Sequence, residues 1–263
     1  MNLKISVLCS GSSGNSIYIE NTKIRLLVDA GLSGKKINEC LKKIGADAEE
    51  LDAILLTHEH SDHIKGAGIL SRRYDIPIYT SEKTWKEAMG KLGEIKKRNQ
   101  RFIEGDFMLG ELGIETFSVS HDASDPLGFI INGTEGRIGI ATDTGFVPAD
   151  LKEKFYGLDC MVIESNHDLD MLMRGSYPRY LKKRIRSKNG HLSNDAAAAL
   201  LPEIVGSNRP VVFLAHLSSD NNIPDLAYIT VKNSLEDNNI IVGKDLELTC
   251  APRNKPTGLY EVG

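Results

Sequence analysis

Apolar positions along the chain come in short blocks separated by polar, glycine-rich or serine-rich punctuation. Lys4 to Cys9 is apolar at most positions and reads as a buried strand. Ser10-Gly11-Ser12-Ser13-Gly14-Asn15-Ser16 then has the composition of a turn, and Ile17–Ile19 and Ile24–Val28 read as two further strands. Ser33 is placed to cap a helix through about Ile44, with Gly45 as its stop. Leu51–Leu56 is the next strand, and Ile64–Tyr74 a helix. Ile76–Tyr79 is a short strand, and Ser81–Leu92 a second serine-capped helix.

The second half keeps the same rhythm. Strands are expected within Arg101–Val119 and over Leu127–Asn132, Arg137–Ala141, Leu158–Ile163, Pro210–Leu214 and Leu246–Cys250. Helices are expected over Pro148–Phe155, Pro178–Lys188, Asn194–Val205 and Pro224–Glu236. Strands alternating with helices indicate an α/β layered fold. No internal repeat, low-complexity tract or linker interrupts it, so one domain over residues 1–263 is expected.

Composition narrows the classes. Of 263 residues, 41% are hydrophobic and 26% charged, as in an ordinary globular protein. The net charge of −4 argues against a general electrostatic affinity for nucleic acid, so such binding would need a local patch. No apolar run approaches the ~20 residues of a membrane span. The apolar stretch at the N-terminus is too short for a signal peptide. Cys9, Cys40, Cys160 and Cys250 form no CxxC pair and no disulfide-like framework. Reduced thiols of this kind point to the cytoplasm.

Chemistry concentrates at strand ends. Directly after Ile54-Leu55-Leu56 comes Thr57-His58-Glu59-His60-Ser61-Asp62-His63, with three histidines and an aspartate close together. His121, Asp143, His167 and His216 each follow a later expected strand. Imidazole suits Zn, Mn or Fe, and carboxylate adds a hard oxygen ligand. Separate strand ends that deliver both are what a dinuclear pocket at the rim of a sheet requires. Alone, His121 could equally be a structural histidine, and Asp143 a turn former before Gly145.

These residues resemble the metallo-β-lactamase superfamily. Its HxHxDH motif is matched by His58, His60, Asp62 and His63, and its later single-residue motifs by His121, Asp143 and His216. Asp29 matches the structural aspartate beneath the metals. The resemblance covers nearly the whole chain and implies a four-layer αββα sandwich. It implies one divalent ion on His58, His60 and His121, another on Asp62, His63 and His216, and Asp143 bridging them. Zn or Mn is expected, and Fe would also accept this set.

Four segments are similar to a narrower group, the YycJ (WalJ) 5′→3′ DNA exonucleases: Ser10–Asn15, Glu164–Asp168, Gly190–Asn194 and Ala215–Asn222. The resemblance implies a metal-dependent phosphodiesterase acting on DNA, single-stranded or at a 5′ end. A small-molecule, cyclic-nucleotide-type phosphodiesterase is the alternative enzyme. A thioester or lactam hydrolase would use a similar centre, and an adaptor with vestigial turnover is the non-enzymatic reading.

Two divalent ions lower the pKa of a water between them and neutralise a phosphodiester's charge. Asp62 is expected to orient that water and take its proton. His191, on a Gly-flanked turn, is expected to bind the scissile phosphate or protonate the leaving oxygen; helix capping is its structural alternative. His167 either lines the site or is structural. Ser12 and Asn15 either present an anion-binding loop or form a hairpin turn. Met171–Asn194 contains seven basic residues and no acidic one. Arg179, Lys182, Lys183 and Arg186 there are candidates for a phosphate backbone, with a solvated helix face as the alternative. No oligomeric partner can be read from the chain.

Overall fold

The apolar blocks between Leu3 and Phe102 become six strands of one mixed sheet. The computed structural model describes residues 3–263. They fall into two compact units: Met1–Ser118 with Ala123–Glu135 and Pro252–Gly263, and Val119–Asp122 with Gly136–Ala251.

In the first unit, β1 (Leu3–Cys9), β2 (Ser16–Glu20) and β3 (Arg25–Val28) form an antiparallel meander. Next come α1 (Gly34–Lys43) and β4 (Ala53–Leu55), which pairs parallel with β3. Ser33 Oγ accepts from Lys36 N, and Gly45 takes a φ of +80°, so α1 starts and stops where its capping residues dictate. Its apolar stripe, Ile37, Cys40 and Leu41, packs into a core with Leu8, Tyr18 and Ile54.

After β4 the expected Ile64–Tyr74 helix is instead two, α2 (Ser61–Ile64) and α3 (Ala67–Tyr74). The break falls at Lys65-Gly66. Gly66 N donates to Ala30 O at 2.7 Å, and a Cβ at Gly66 would lie 2.4 Å from Leu32 O. The chain can press against the segment after β3 only because Gly66 lacks a side chain. Then come β5 (Ile78–Thr80), α4 (Glu82–Leu92), capped by Ser81, and β6 (Gln100–Phe102), extending the sheet in parallel. A separate antiparallel set, β7 (Phe107–Leu109), β8 (Leu112–Ser118) and β9 (Leu127–Asn132), follows and is not part of that sheet.

The second unit is a parallel βα alternation. β10 (Arg137–Ala141), α5 (Ala149–Phe155) and β11 (Cys160–Glu164) come first. α6 (Leu169–Arg174), α7 (Arg179–Ile185) and α8 (Asn194–Ile204) follow. β12 (Val211–Ala215), α9 (Pro224–Asp237) and β13 (Glu247–Cys250) close it. The order β10-β11-β12-β13 is parallel throughout, and β11 and β12 are buried along nearly their whole length, as parallel strands are. α6 has no counterpart in the hydrophobic pattern; Asp168 caps it by accepting from Met171 N. The chain then returns to the first unit, where the last strand, β14 (Tyr260–Val262), pairs antiparallel with β1. Among the described residues no helix is long and apolar enough to cross a membrane.

Candidate metal centre

In the first unit, β3 and β4 lie parallel, and their C-terminal ends carry Asp29 and Thr57. The buried Asp29 carboxylate accepts from Thr57 N at 2.9 Å, from Thr57 Oγ1 at 2.9 Å and from His63 Nδ1 at 2.7 Å. The proton on Nδ1 makes Nε2 the acceptor nitrogen of His63. That Nε2 lies 3.0 Å from Asn15 Nδ2 and 3.7 Å from Asp62 Oδ2. His58 Nδ1 lies 2.9 Å from Thr57 Oγ1, and His58 Nε2 faces His60 Nδ1 at 3.0 Å.

The loop that carries these groups is pinned from below. Asn15 N donates to Asp62 O at 2.8 Å, and Ala30 N donates to His63 O at 2.7 Å. Asn15 Oδ1 accepts from Gly11 N at 2.8 Å. The Gly-Ser loop therefore braces the histidine loop through Asn15, which is buried, while Ser12 is exposed. Glu59 turns away from its histidine neighbours: Oε1 accepts from Ser124 N and Oγ at 2.8 and 2.9 Å.

In the second unit, Asp143, Glu164 and His216 sit at or just beyond the ends of β10, β11 and β12. Glu164 is fully buried and accepts four hydrogen bonds. His191 Nδ1 and His216 Nδ1 both donate to Oε1 at 2.8 Å; Thr144 N and Leu192 N donate to Oε2 at 2.8 and 3.1 Å. Asp143 Oδ1 lies 3.3 Å from His216 Nδ1, 3.7 Å from His191 Nδ1 and 3.8 Å from His121 Nε2. His121 Nδ1 contacts Gly190 O at 3.2 Å. An asparagine frame holds the loops: Asn166 Nδ2 donates to His216 O at 2.9 Å, and Asn222 Nδ2 donates to Ser165 O at 2.9 Å.

The backbone is strained at the same places. Among the described residues, six non-glycine residues have positive φ, and three of them are Asp29, Asp143 and His216, at +61°, +54° and +56°. Such conformations persist where the surroundings over-determine them, commonly at functional sites.

Charge follows from this packing. Burial alone would raise the Glu164 carboxyl, but the His191 and His216 rings and their hydrogen bonds hold it at about 2. Burial pushes His191 down, but the Glu164 charge and hydrogen bond outweigh it, and its proton affinity is raised. For His121, burial wins over the attraction of Asp143, and its proton affinity is lowered. His167 is buried, and neither ring nitrogen has a hydrogen-bond partner among the described residues. Burial lowers it to about 4, so the ring is neutral at neutral pH.

The donor chemistry fits divalent ions. His63, His216, His121 and His58 are each backed at one ring nitrogen by a carboxylate, a carbonyl or a hydroxyl, the outer support that metal-binding imidazoles require. A mixed imidazole and carboxylate set suits Zn, Mn or Fe. Glu164 was not foreseen as a site residue. Its signal was a carboxylate closing an otherwise apolar strand, Cys160-Met161-Val162-Ile163.

The basic candidates lie on and after α7. Arg179, Lys183 and Arg186 are exposed, whereas Lys182 is half-buried and gives its Nζ to Met173 O and Gly175 O at 2.7 and 2.6 Å.

Residues 24–216 match the family described as "Beta-lactamase superfamily domain". The chain is 40% identical over 265 residues to the exodeoxyribonuclease YycJ of Bacillus anthracis, covering 100% of both chains. It is 42% identical over 263 residues to the exodeoxyribonuclease WalJ of Streptococcus pneumoniae serotype 2, covering 98% of both. The chain belongs to the YycJ/WalJ family of the beta-lactamase superfamily. The metallo-beta-lactamase fold protein YhfI of Bacillus subtilis shares its fold, with a TM-score of 0.73 at 18% identity, covering 99% of this chain and 100% of that one. The four-layer αββα class that the resemblance to the superfamily implies is therefore its class.

Proposed function

We propose that this chain is a two-metal phosphodiesterase that degrades DNA in the 5′→3′ direction, its two units acting as one hydrolase domain over residues 1–263. The ligands in this reading are His58, His60, Asp62, His63, His121, Asp143 and His216, and the ions are Zn or Mn, with Fe also accepted by the donor set. When bound, the ions supply an activated water and neutralise the phosphodiester charge.

The observation that carries the reading is the shared Glu164 oxygen. His191 and His216 donate to the same atom, so the candidate proton donor and a candidate ligand are held in one rigid frame. With Nδ1 on an anionic carboxylate, His191 keeps its protonated form to higher pH and has Nε2 to offer. His191 is also the member of this group with appreciable side-chain exposure, 22% against 3% for His216. This suits protonation of a leaving oxygen or a hydrogen bond to the scissile phosphate. Asp62, half-buried beside His63, orients the attacking water and takes its proton.

The identity to two exodeoxyribonucleases over the whole length supports DNA as substrate. Four free cysteines, three of them buried, support a reducing compartment, the cytoplasm. The test is a time course on end-labelled DNA with added Mn or Zn, and Asp62→Ala alongside. Metal-dependent release of mononucleotides from the 5′ end, absent in the variant, is the expected result. Cleavage of bis-p-nitrophenyl phosphate without any attack on DNA would move the substrate to a small phosphodiester.

A further inference from the structure

α7 buries none of its residues, although it follows a fold whose other helices all do. Beside it is a cavity of about 660 Å³ lined by Met173, Arg179, Lys182, Lys183, Arg186 and Ser187. That volume lies within the range of ligand pockets, about 300–1,000 Å³.

The cations of this segment are sorted. Arg174 is paired with Asp170, Arg184 with Asp122, and Lys188 lies over the Phe146 ring; none of the three lines the cavity. The cations that do line it have no carboxylate. Lys182 is held by two carbonyls, Arg186 reaches the Met173 sulfur at 3.3 Å, and Arg179 and Lys183 take no ion pair among the described residues. A merely solvated helix face would not separate compensated from uncompensated charge in this way. On a chain of net charge −4, four uncompensated cations around one hollow call for an anion.

The surroundings say which anion. Tyr180 is 75% exposed and Met173 51% exposed on the same two helices. Tyr177, by contrast, is committed to Asp220 through its hydroxyl at 2.6 Å. An exposed aromatic ring on the helix that lines a cationic hollow suits a single strand, ring on base and cation on phosphate. The hollow is also tied to the proposed chemistry. His191 N donates to Ile185 O at 2.9 Å, and Gly190 N to Ser187 O at 2.9 Å. A Cβ at Gly190 would lie 2.1 Å from Ile185 O, so the turn is as tight as a glycine allows. The end of α7 and His191 therefore move as one piece.

We propose that this hollow seats a backbone phosphate of single-stranded DNA at a fixed offset from His191, with Tyr180 stacking on an adjacent base. Lys182 shapes the seat by clamping α7 to the end of α6, while Arg179, Lys183 and Arg186 contact the phosphate. The inference rests on the nuclease reading and adds to it the path of the strand.

The test uses the full, metal-loaded chain and a 3′-fluorescein phosphorothioate oligo(dT), followed by anisotropy across a salt series. Each phosphate contact on a single strand contributes a slope of about −0.7 in log affinity against log salt. The triple variant Arg179→Gln, Lys183→Gln, Arg186→Gln is expected to flatten the slope by about 2 and weaken binding at low salt at least tenfold. Tyr180→Ala is expected to weaken binding by roughly fivefold or more with the slope retained. A matched triple on α1, Lys36→Gln, Lys42→Gln and Lys43→Gln, should change neither quantity. An unchanged slope in the first triple, or equal flattening in the α1 triple, overturns the seat. Cleavage of ordinary oligo(dT) by the wild-type chain with Mn reports on the nuclease reading separately. A DNA-binding chain with a flattened variant slope but no cleavage would keep the seat and lose the nuclease.

Discussion

Glu164 Oε1 accepts the Nδ1 proton of His216 at 2.8 Å, from a carboxylate with no exposure to solvent. A buried carboxylate is costly unless its acceptor sites are filled, and here two imidazoles and two backbone N–H groups fill them. The pair fixes which nitrogen of His216 can face a metal. Glu164→Gln keeps the shape but removes the charge and presents an N–H where acceptors are needed. Metal affinity is expected to fall about 10–100-fold, the usual cost of losing an outer-shell partner. Titration with Zn or Mn under a competing chelator measures it, and far-ultraviolet circular dichroism checks that the fold survives. Metal affinity unchanged in that variant would remove Glu164 from the site.

The same carboxylate governs pH. His191 has its proton affinity raised by Glu164, so its protonated form persists to higher pH than a free imidazole's and is lost as pH rises through the raised value. If His191 donates a proton to the leaving group, kcat/KM falls on the alkaline side through that ionisation. In Glu164→Gln the fall should begin at lower pH. His191→Gln should lower kcat at least about 100-fold and remove this limb altogether. A profile of identical shape in all three proteins would exclude His191 from proton transfer.

Much of this is legible in the sequence. His58, His60, Asp62 and His63 are close in sequence after an apolar strand, and α1 and α4 begin at Ser33 and Ser81 as their capping side chains require. What was not legible depended on long-range contact. The split between α2 and α3 comes from Gly66 meeting the segment after β3, which no local pattern encodes. α6 is a helix of six residues, too short for an amphipathic period to declare itself. Asn15 reads as part of an anion-binding loop or a hairpin turn, but its side chain reaches His63, forty-eight positions on. Glu164 was hidden for a related reason: a strand-end carboxylate becomes informative only when the imidazoles it serves are known to converge on it.

Asp75 supports a different kind of prediction, one about stability and not about the proposed chemistry. It ends α3 with a φ of +61°, and its carboxylate takes Arg98 Nη2 at 2.6 Å, Lys96 Nζ at 3.0 Å and Asn99 Nδ2 at 2.9 Å. The Arg98 hydrogen bond, then those of Lys96 and Asn99, hold its carboxyl below the usual carboxylate range. A depressed folded-state pKa gives stability that is present above the unfolded value, about 3.9, and is lost as pH falls below it. Asn tolerates the left-handed backbone, so Asp75→Asn isolates the charge. The melting temperature of the variant should lie below wild type at neutral pH, and the gap should close under acid and shrink in high salt. A gap independent of pH would show that the network acts through shape and not through charge.

Two glycines give opposite expectations from one substitution. Gly31 follows the strained Asp29-Ala30 step, and a Cβ there would lie 1.7 Å from Asp62 O and 2.6 Å from Asn15 N. Both are backbone atoms in a clamp, Asn15 N to Asp62 O, that holds the histidine loop, so neither can swing aside. Gly31→Ala is expected to destabilise the protein by about 1–3 kcal/mol, the cost of forcing atoms into a packed region, and to displace Asp62. Gly90 sits on the exposed face of α4, with nothing within 4 Å of its would-be Cβ. Gly90→Ala should stabilise by about 0.5–1 kcal/mol, because alanine restricts the unfolded chain and costs the helix nothing. Urea unfolding of the two variants measures both, and metal titration adds a second readout. Gly31→Ala should lose metal affinity even under conditions where it is fully folded, whereas Gly90→Ala should bind as wild type does. A Gly31→Ala protein with native stability and native metal affinity would mean that the loop bearing His58–His63 is not clamped where these contacts put it.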